Sequence, residues 1–374
     1  MVNKERMLKE FYELVGIYAP SRKEREVADL LIKRLQELGA ASVIEDKASA
    51  EKVGGNTGNL VANFPGTKEG APTILLGAHM DCVEPCANIK PQIVDGVIKS
   101  GGTTILGGDD KGGVVAILET IRVLKENNIP HGPIQVVFTV CEEMGVQGSK
   151  YLDQSLLEAD FGYALDSSGR PGKIINCAPG QNKIFAKIHG KKAHAGLAPE
   201  KGINAIKKAA EILLGVPSGR IDEETTCNVG IINGGSATNV VPDLVEIAMD
   251  CRSRDQKKLD ALTEQIVKAF EEGGKKVQVP VDVEVKKSYG PYKLADDCSC
   301  IALAKKAVEK LGLELNITGT GGGSDANAIN NYGVPTTVLG TGMTNAHTVD
   351  EILIEKDLYD TAELVLEIVT EAAK

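Results

Sequence analysis

Short apolar runs that stop at an acidic residue or a histidine recur along this chain. They constrain its fold more than any other feature. TILLG runs into His79-Met80-Asp81, IQVVFTVC into Glu142-Glu143, and FGYAL into Asp166. TTVLG is followed by a loop carrying His347, and Asp109 lies in the Gly-rich stretch GGDDKGG just before a helical pattern. The runs predict buried strands at 73–77, 134–141, 161–165, 314–318 and 335–340, and helices fall at 112–128, 299–311 and 356–372. This alternation predicts an α/β fold, a mostly parallel sheet with helices on both faces. Carboxyl ends of strands in such a sheet gather along one edge, where ligands bind.

Two amphipathic helices precede this pattern. Met7, Phe11, Leu14 and Val15 share one face of the first. The second follows Pro20, with Ser21 and Glu24 spaced as a capping box and Gly39 as its stop. Its apolar face is Val27, Leu30, Leu31, Leu35 and Leu38.

The middle of the chain reads differently. Strand 183–189, helix 202–215, strands 225–232 and 243–251, helix 256–272 and strand 279–287 give the order β-α-β-β-α-β, the ferredoxin-like split motif. It is a complete folding unit inserted into the α/β domain. The expected division is residues 1–181, an inserted 182–291, and 292–374, with turn-rich crossings near Gly180 and at Tyr289-Gly290-Pro291.

Composition narrows the function classes. A net charge of −10 argues against non-specific binding to nucleic acid or an anionic membrane. No apolar run is long enough to span a bilayer. The charged start MVNKERMLKEFYELV has no apolar signal region, which makes the cytoplasm the expected location. The eight cysteines form no zinc-finger pairs and read as reduced thiols, mostly small core residues.

Taken singly, the chemistry-bearing residues have ordinary readings. Glu142-Glu143 fits a solvated loop, His79 a hydrogen-bonded structural histidine, and Asp166 a cap or turn. Independent accidents would not all fall on one sheet edge. Two divalent ions about 3.5–4 Å apart need one bridging carboxylate and about two further ligands each. His79, Asp109, Glu143, Asp166 and His347 fill that list. Imidazole with carboxylate favours zinc, with cobalt or manganese as substitutes. Asp81, two residues after His79, is placed to orient that imidazole, and Glu142 to act as general base. An oxidoreductase on the same sheet would need a GxGxxG turn after its first strand, and TILLGAHMD has none.

The motifs GAHMDCVEP, LGGDDKGG, VCEEMGVQGS, ALDSSG, KKAHAGLAPEKGINA, TNVVPD, DCRSRD, GGGSDAN and NAHTVDE span nearly the whole chain. In this order they resemble the M20 metallopeptidases, in their peptidase T-like branch. The resemblance implies two zinc ions per subunit. His79 and Asp166 would bind one, Glu143 and His347 the other. Asp109 would bridge, since the family's bridging aspartate lies two residues before the lysine, here Lys111. It further implies a small-peptide substrate and a homodimer through the inserted lid domain. His194, Asn239, Arg252 and the glycines Gly322 and Gly323 would contact substrate. A carboxypeptidase, a dipeptidase or an N-acyl-amino-acid deacylase shares the metal set and stays open at this level, as does a non-catalytic binding protein on the same scaffold. Without the family, His194 reads as a solvated loop histidine. GGGSDAN reads equally as a nest of amides for an anion and as a turn capped by Ser324 or Asp325. His131 and His189 have no partner pattern and read as structural or surface residues.

Overall fold

The computed structural model describes residues 1–374. The chain divides into two compact units. The first holds Met1–Cys177, Lys293–Thr320 and Ser324–Lys374; the second holds Ala178–Tyr292 and Gly321–Gly323.

The main sheet of the first unit runs in the order Ser42–Glu45, Leu60–Phe64, Ile134–Thr139, Ile74–His79, Phe161–Ser167, Thr336–Gly340, Lys173–Ala178. Ile134–Thr139, Ile74–His79, Phe161–Ser167 and Thr336–Gly340 are mutually parallel neighbours. Their side chains alternate between two cores, as the two-residue period of a strand requires. Leu60, Ala62, Ile74, Leu76, Val136 and Phe138 face the larger core, built with the helices Lys4–Val15, Arg25–Leu38, Gly108–Glu126, Ser299–Lys310 and Glu355–Ala372. Val61, Leu75 and Val137 face the opposite way, onto Leu152, Ile329 and Val334. Apolar burial on both faces is why these strands read as unbroken hydrophobic runs.

The first helix buries Met7, Phe11, Leu14 and Val15 as its spacing predicts, and the second ends at Gly39 with φ +95°. The expected capping box does not form: the Glu24 side chain makes no cap hydrogen bond to this helix. The Ser21 hydroxyl donates instead to Asp81 (2.6 Å), and Glu24 Oε1 accepts from the Arg22 and Cys141 backbone N–H groups (3.0 Å each). Both residues serve the sheet edge.

The second unit is an antiparallel sheet in the order Gly219–Arg220, Thr225–Gly234, Leu244–Ser253, Gly180–His189, Val281–Tyr289. Helices Ala205–Leu213 and Gln256–Val277 cover one face, enclosing Ile184, Ala186, Ile188, Ile247, Met249, Ile266 and Phe270. Element order and strand order are those of the ferredoxin-like split motif.

Candidate metal centre

The four parallel strands deliver their carboxyl ends to one edge. His79 ends its strand, Glu142 and Glu143 follow the strand Ile134–Thr139, and Asp166 lies at the end of Phe161–Ser167. His347 stands in the connection between the short strands Met343–Thr344 and Ile352–Ile354, closed by the Thr344–Ile352 pair. Asp109 lies at the start of the helix Gly108–Glu126, where Asp109 and Asp110 have non-helical dihedral angles and a cis peptide between them.

Asp109 faces both histidines. Its Oδ1 lies 3.0 Å from His79 Nε2 and its Oδ2 3.2 Å from His347 Nε2. Asp166 Oδ1 is 3.8 Å from His79 Nε2, and Glu143 Oε2 is 2.8 Å from His347 Nε2. Asp109 thus lies between a His79–Asp166 pair and a His347–Glu143 pair, and His79, Asp109 and Glu143 also bring ligand atoms within 4.8 Å of one another. Asp110 also brings an oxygen within 4.8 Å of His79 and Asp166. Its Oδ2 accepts the backbone N–H of His79 at 3.1 Å, which ties it to the strand end, and only Asp109 spans both imidazoles.

Asp81 does more than orient an imidazole. Its Oδ1 lies 3.4 Å from His79 Nδ1 and accepts the backbone N–H of Glu142 (3.0 Å), while its Oδ2 accepts that of Glu143 (3.2 Å). Asn59 Oδ1 accepts the N–H of Val140 (3.1 Å) and Glu24 that of Cys141. Four successive amides of the Glu142-Glu143 loop are therefore held by three side chains. Cys141 within it and His347 across from it adopt left-handed φ of +51° and +66°. Non-glycine residues hold that conformation at a cost of about 1–3 kcal/mol only where the surroundings impose it.

The cluster is short of positive charge. Burial alone would lower His79, yet hydrogen bonds to Asp109 and Asp81 and the charge of Asp166 outweigh it and hold its pKa well above the imidazole value. Hydrogen bonds to Asp109 and Glu143 push His347 up to about 10. Burial, with the Asp109 charge, drives Asp166 well above the carboxylate range. Burial, with the charges of Asp325 and Glu143, does the same to Glu142. Glu143 Oε1 is buried with no hydrogen-bond partner. Retained protons and an orphaned oxygen among carboxylates and imidazoles are what a cation-binding donor set shows when only protons balance its charge. The residues fit a pair of divalent ions.

The remaining predicted contacts lie in the second unit. The His194 and Val240 backbones pair in a two-residue ribbon, and Asn239 O accepts the N–H of Ala195 (3.0 Å), so His194 and Asn239 are neighbours. His194 Nδ1 accepts from the Gly196 and Leu197 backbones (3.1 and 3.2 Å). That places the neutral ring's proton on Nε2, as a donor. Arg252 Nε donates to Asp250 (2.8 Å) and its Nη1 to Gly321 O (3.2 Å), beside Gly322 and Gly323. A Cβ on Gly323 would stand 2.3 Å from the Tyr289 ring, so the glycine there has a packing reason. The Ser324 N–H donates to Asn327 Oδ1 (3.0 Å) in a capping box at the helix Asp325–Asn331, which accounts for the Ser-Asp of GGGSDAN as a cap. His131 bonds Gly132 O (2.7 Å) and His189 pairs with Asp282 (2.8 Å).

Sequence reasoning missed Ser21, Glu24, Asn59, Asp325 and Glu351. Asp325 takes hydroxyl hydrogens from Ser149 (2.5 Å) and Thr139. These residues carry no metal-ligand spacing. Only Asp325, in GGGSDAN, and Glu351, in NAHTVDE, fall inside a recognised motif.

Comparison with known proteins agrees with this geometry. Residues 180–278 match the M20-type peptidase dimerisation domain, and residues 59–204 match peptidase family M28. Aminopeptidase PepT from Bacillus cereus is 46% identical over all of both chains, with a TM-score of 0.92. A tripeptidase from Staphylococcus aureus is 40% identical over all of this chain and 99% of that one, with a TM-score of 0.95. YqjE of Bacillus subtilis, an uncharacterised protein, is 43% identical over 374 residues, the whole of both chains. No helix is long and apolar enough to cross a membrane. The M28 match stops inside the second unit, whereas likeness to PepT runs the full length. With metal-type ligands gathered around Asp109, the chain belongs to the peptidase T-like branch of the M20 metallopeptidases and is a metal-dependent peptidase.

Proposed function

We propose that this protein is a cytoplasmic di-zinc tripeptide aminopeptidase that works as a homodimer through its inserted domain. The single observation that carries the metal-pair reading is Asp109, whose two oxygens face His79 and His347 at 3.0 and 3.2 Å. One ion would be held by His79, Asp166 and Asp109, the other by Glu143, His347 and Asp109. When bound, such a pair lowers the pKa of a water between them and polarises the scissile carbonyl.

The chain's own residues supply the rest. Glu142, partly buried and raised in pKa, would accept the proton of the attacking water and pass it to the leaving amine. Asp81 would hold the Glu142 and Glu143 amides so that base and ligand keep a fixed relation. His194 would present its Nε2–H to the developing oxyanion. Arg252, Asn239 and the Gly322-Gly323 turn would hold substrate. The choice of tripeptides and of the amino terminus draws support from the PepT and tripeptidase relatives.

Glu142→Ala tests the mechanism. Turnover should fall at least 1,000-fold, within the roughly 10²–10⁴ of general-base catalysis, with two metal equivalents still bound. Full activity in that variant sinks the assignment. A panel of tripeptides, dipeptides and N-acyl amino acids tests the substrate: best turnover of a dipeptide or an acyl amino acid overturns the tripeptide reading in favour of a related M20 amidase.

A further inference from the structure

Glu351 is a buried carboxylate, 1% exposed, whose hydrogen-bond partners are backbone N–H groups. Its Oε2 accepts from Leu106 (2.8 Å) and Gly107 (2.9 Å), and its Oε1 from Asp109 (2.9 Å). Burying an ionised carboxylate costs several kcal/mol unless hydrogen bonds replace its water. A neutral residue would avoid that cost, so these three bonds need a reason to be there.

Their location supplies one. Gly107 has φ +76° and Asp109 and Asp110 are non-helical, so the helix's own hydrogen bonding does not fix the backbone that carries Asp109. Glu351 fixes it instead. Glu351 also lies four residues after His347, at the base of the connection closed by Thr344–Ile352, with its N–H bonded to Thr348 O (3.1 Å). One side chain therefore joins the loop that presents His347 to the loop that presents Asp109. The 3.2 Å approach of His347 Nε2 to Asp109 Oδ2 spans that junction.

We propose that Glu351 is a positioning residue of the metal centre: acting through the backbone of Asp109, it sets the separation between the bridging carboxylate and His347. It thereby governs affinity for the ion held by Asp109, Glu143 and His347. The inference rests on the metal-pair reading above. All three partners of Glu351 are donors, so its group must accept at both oxygens. Glutamine has the same shape but turns an NH₂ toward at least one N–H.

The test is zinc chloride titration of the chelated full-length protein against a chromophoric competitor, for wild type, Glu351→Gln and Glu351→Asp. Outer partners of metal ligands typically set 10–100-fold in affinity. In Glu351→Gln the second zinc equivalent should bind at least 10-fold more weakly, with a smaller change in the first. Its kcat should fall at low zinc and recover toward wild type at saturating zinc, with KM within about threefold. Glu351→Asp keeps the charge but draws it back by one methylene, and should lose several-fold in second-zinc affinity. It decides the matter if the glutamine variant does not fold. Wild-type affinity for both equivalents in either folded variant overturns the proposal. So does a lowered melting temperature with unchanged zinc affinity and kcat, which marks a purely structural residue. Wild-type protein that takes up fewer than two equivalents overturns the metal-pair reading itself, and this inference with it.

Discussion

Asp81 accepts the backbone N–H of Glu142 at 3.0 Å, while its other oxygen accepts that of Glu143 at 3.2 Å. Burial opposes ionisation of Asp81, but the hydrogen bond and charge of His79, with Ser21 and the Glu142 amide, hold its pKa below the usual carboxylate value. The proposed general base and its neighbouring ligand thus hang from one anion. Asp81→Asn keeps only one acceptor oxygen and turns an amine toward the other donors. A hydrogen bond to a charged group is worth about 1.5–3 kcal/mol, so kcat should fall about 10- to 100-fold. Metal content by atomic absorption should stay near two equivalents. A kcat within twofold of wild type would show that the loop holds its shape without Asp81.

Removing the metal should expose the charge imbalance as a pH effect. In the chelated protein His79 is raised well above the imidazole value, and His347 reaches about 10. Both bind protons more tightly folded than unfolded, so their contribution is complete below an unfolded pKa of about 6.5. It is lost as pH rises through the folded values. Asp166 and Glu142 pull the same way, because they keep protons in the fold that the unfolded chain has already released. The chelated protein's melting temperature should therefore fall between pH 6.5 and 10, while the zinc-loaded protein changes much less. Each ion at 1,000 times its Kd adds about 4 kcal/mol, so loading should also raise the melting temperature by on the order of 10 °C. Parallel melting curves for the two forms across that pH range would rule this account out.

The contrast between these two cases marks what was legible in the sequence. The clustering of the five proposed ligands could be read because strand ends in a parallel sheet share an edge, and His79, Glu143, Asp166 and His347 each follow an apolar run. The split motif of the second unit could be read because its strands and helices have clean periods. Ser21 and Glu24 could not. Their spacing is that of a capping box, and the local rule was overridden by tertiary demand: Ser21 serves Asp81 and Glu24 serves Cys141. The antiparallel strand Leu60–Phe64 and the hairpin of Gln92–Val94 with Val97–Lys99 were also missed. They are short, and the hairpin is largely exposed, so neither has a strong hydrophobic period. Ligands announce themselves by residue type; the groups that hold them do so only through contacts made across the fold.

The paired glycines of DDKGG are not equivalent. A Cβ on Gly113 would stand 2.5 Å from both Leu165 O and Asp110 Oδ1, wedging the helix from the strand that ends at Asp166. A Cβ on Gly112 would meet nothing nearer than Leu353 Cδ2 at 3.6 Å. Gly113→Ala should cost about 1–3 kcal/mol, the range for overpacking, and weaken zinc binding, because it displaces the residues beside Asp166 and Asp109. Gly112→Ala should be neutral or stabilise by up to about 1 kcal/mol, since alanine favours a helix over glycine. Urea denaturation with zinc titration separates them, and equal stability of the two variants contradicts the packing argument.

The proposed dimer has a specific surface to test. The strand Thr225–Gly234 is covered on its outer edge only where Arg220 and Gly219 pair with Thr226 and Cys227. Beyond that the edge is open, and it carries Ile231 and Ile232 at 56% and 53% exposure. An open edge with exposed β-branched residues is a template for strand pairing unless charge or cover blocks it, and this segment lies within the residues that match the M20 dimerisation domain. Pairing two copies along this edge would extend the sheet and bury both isoleucines. Changing Ile231 and Ile232 together to lysine should leave the fold intact, since neither side chain is in the unit's core. Sedimentation should then report a monomer where the wild type is a dimer, with an unchanged far-ultraviolet spectrum. A double-lysine variant that still sediments as a dimer would move the interface elsewhere.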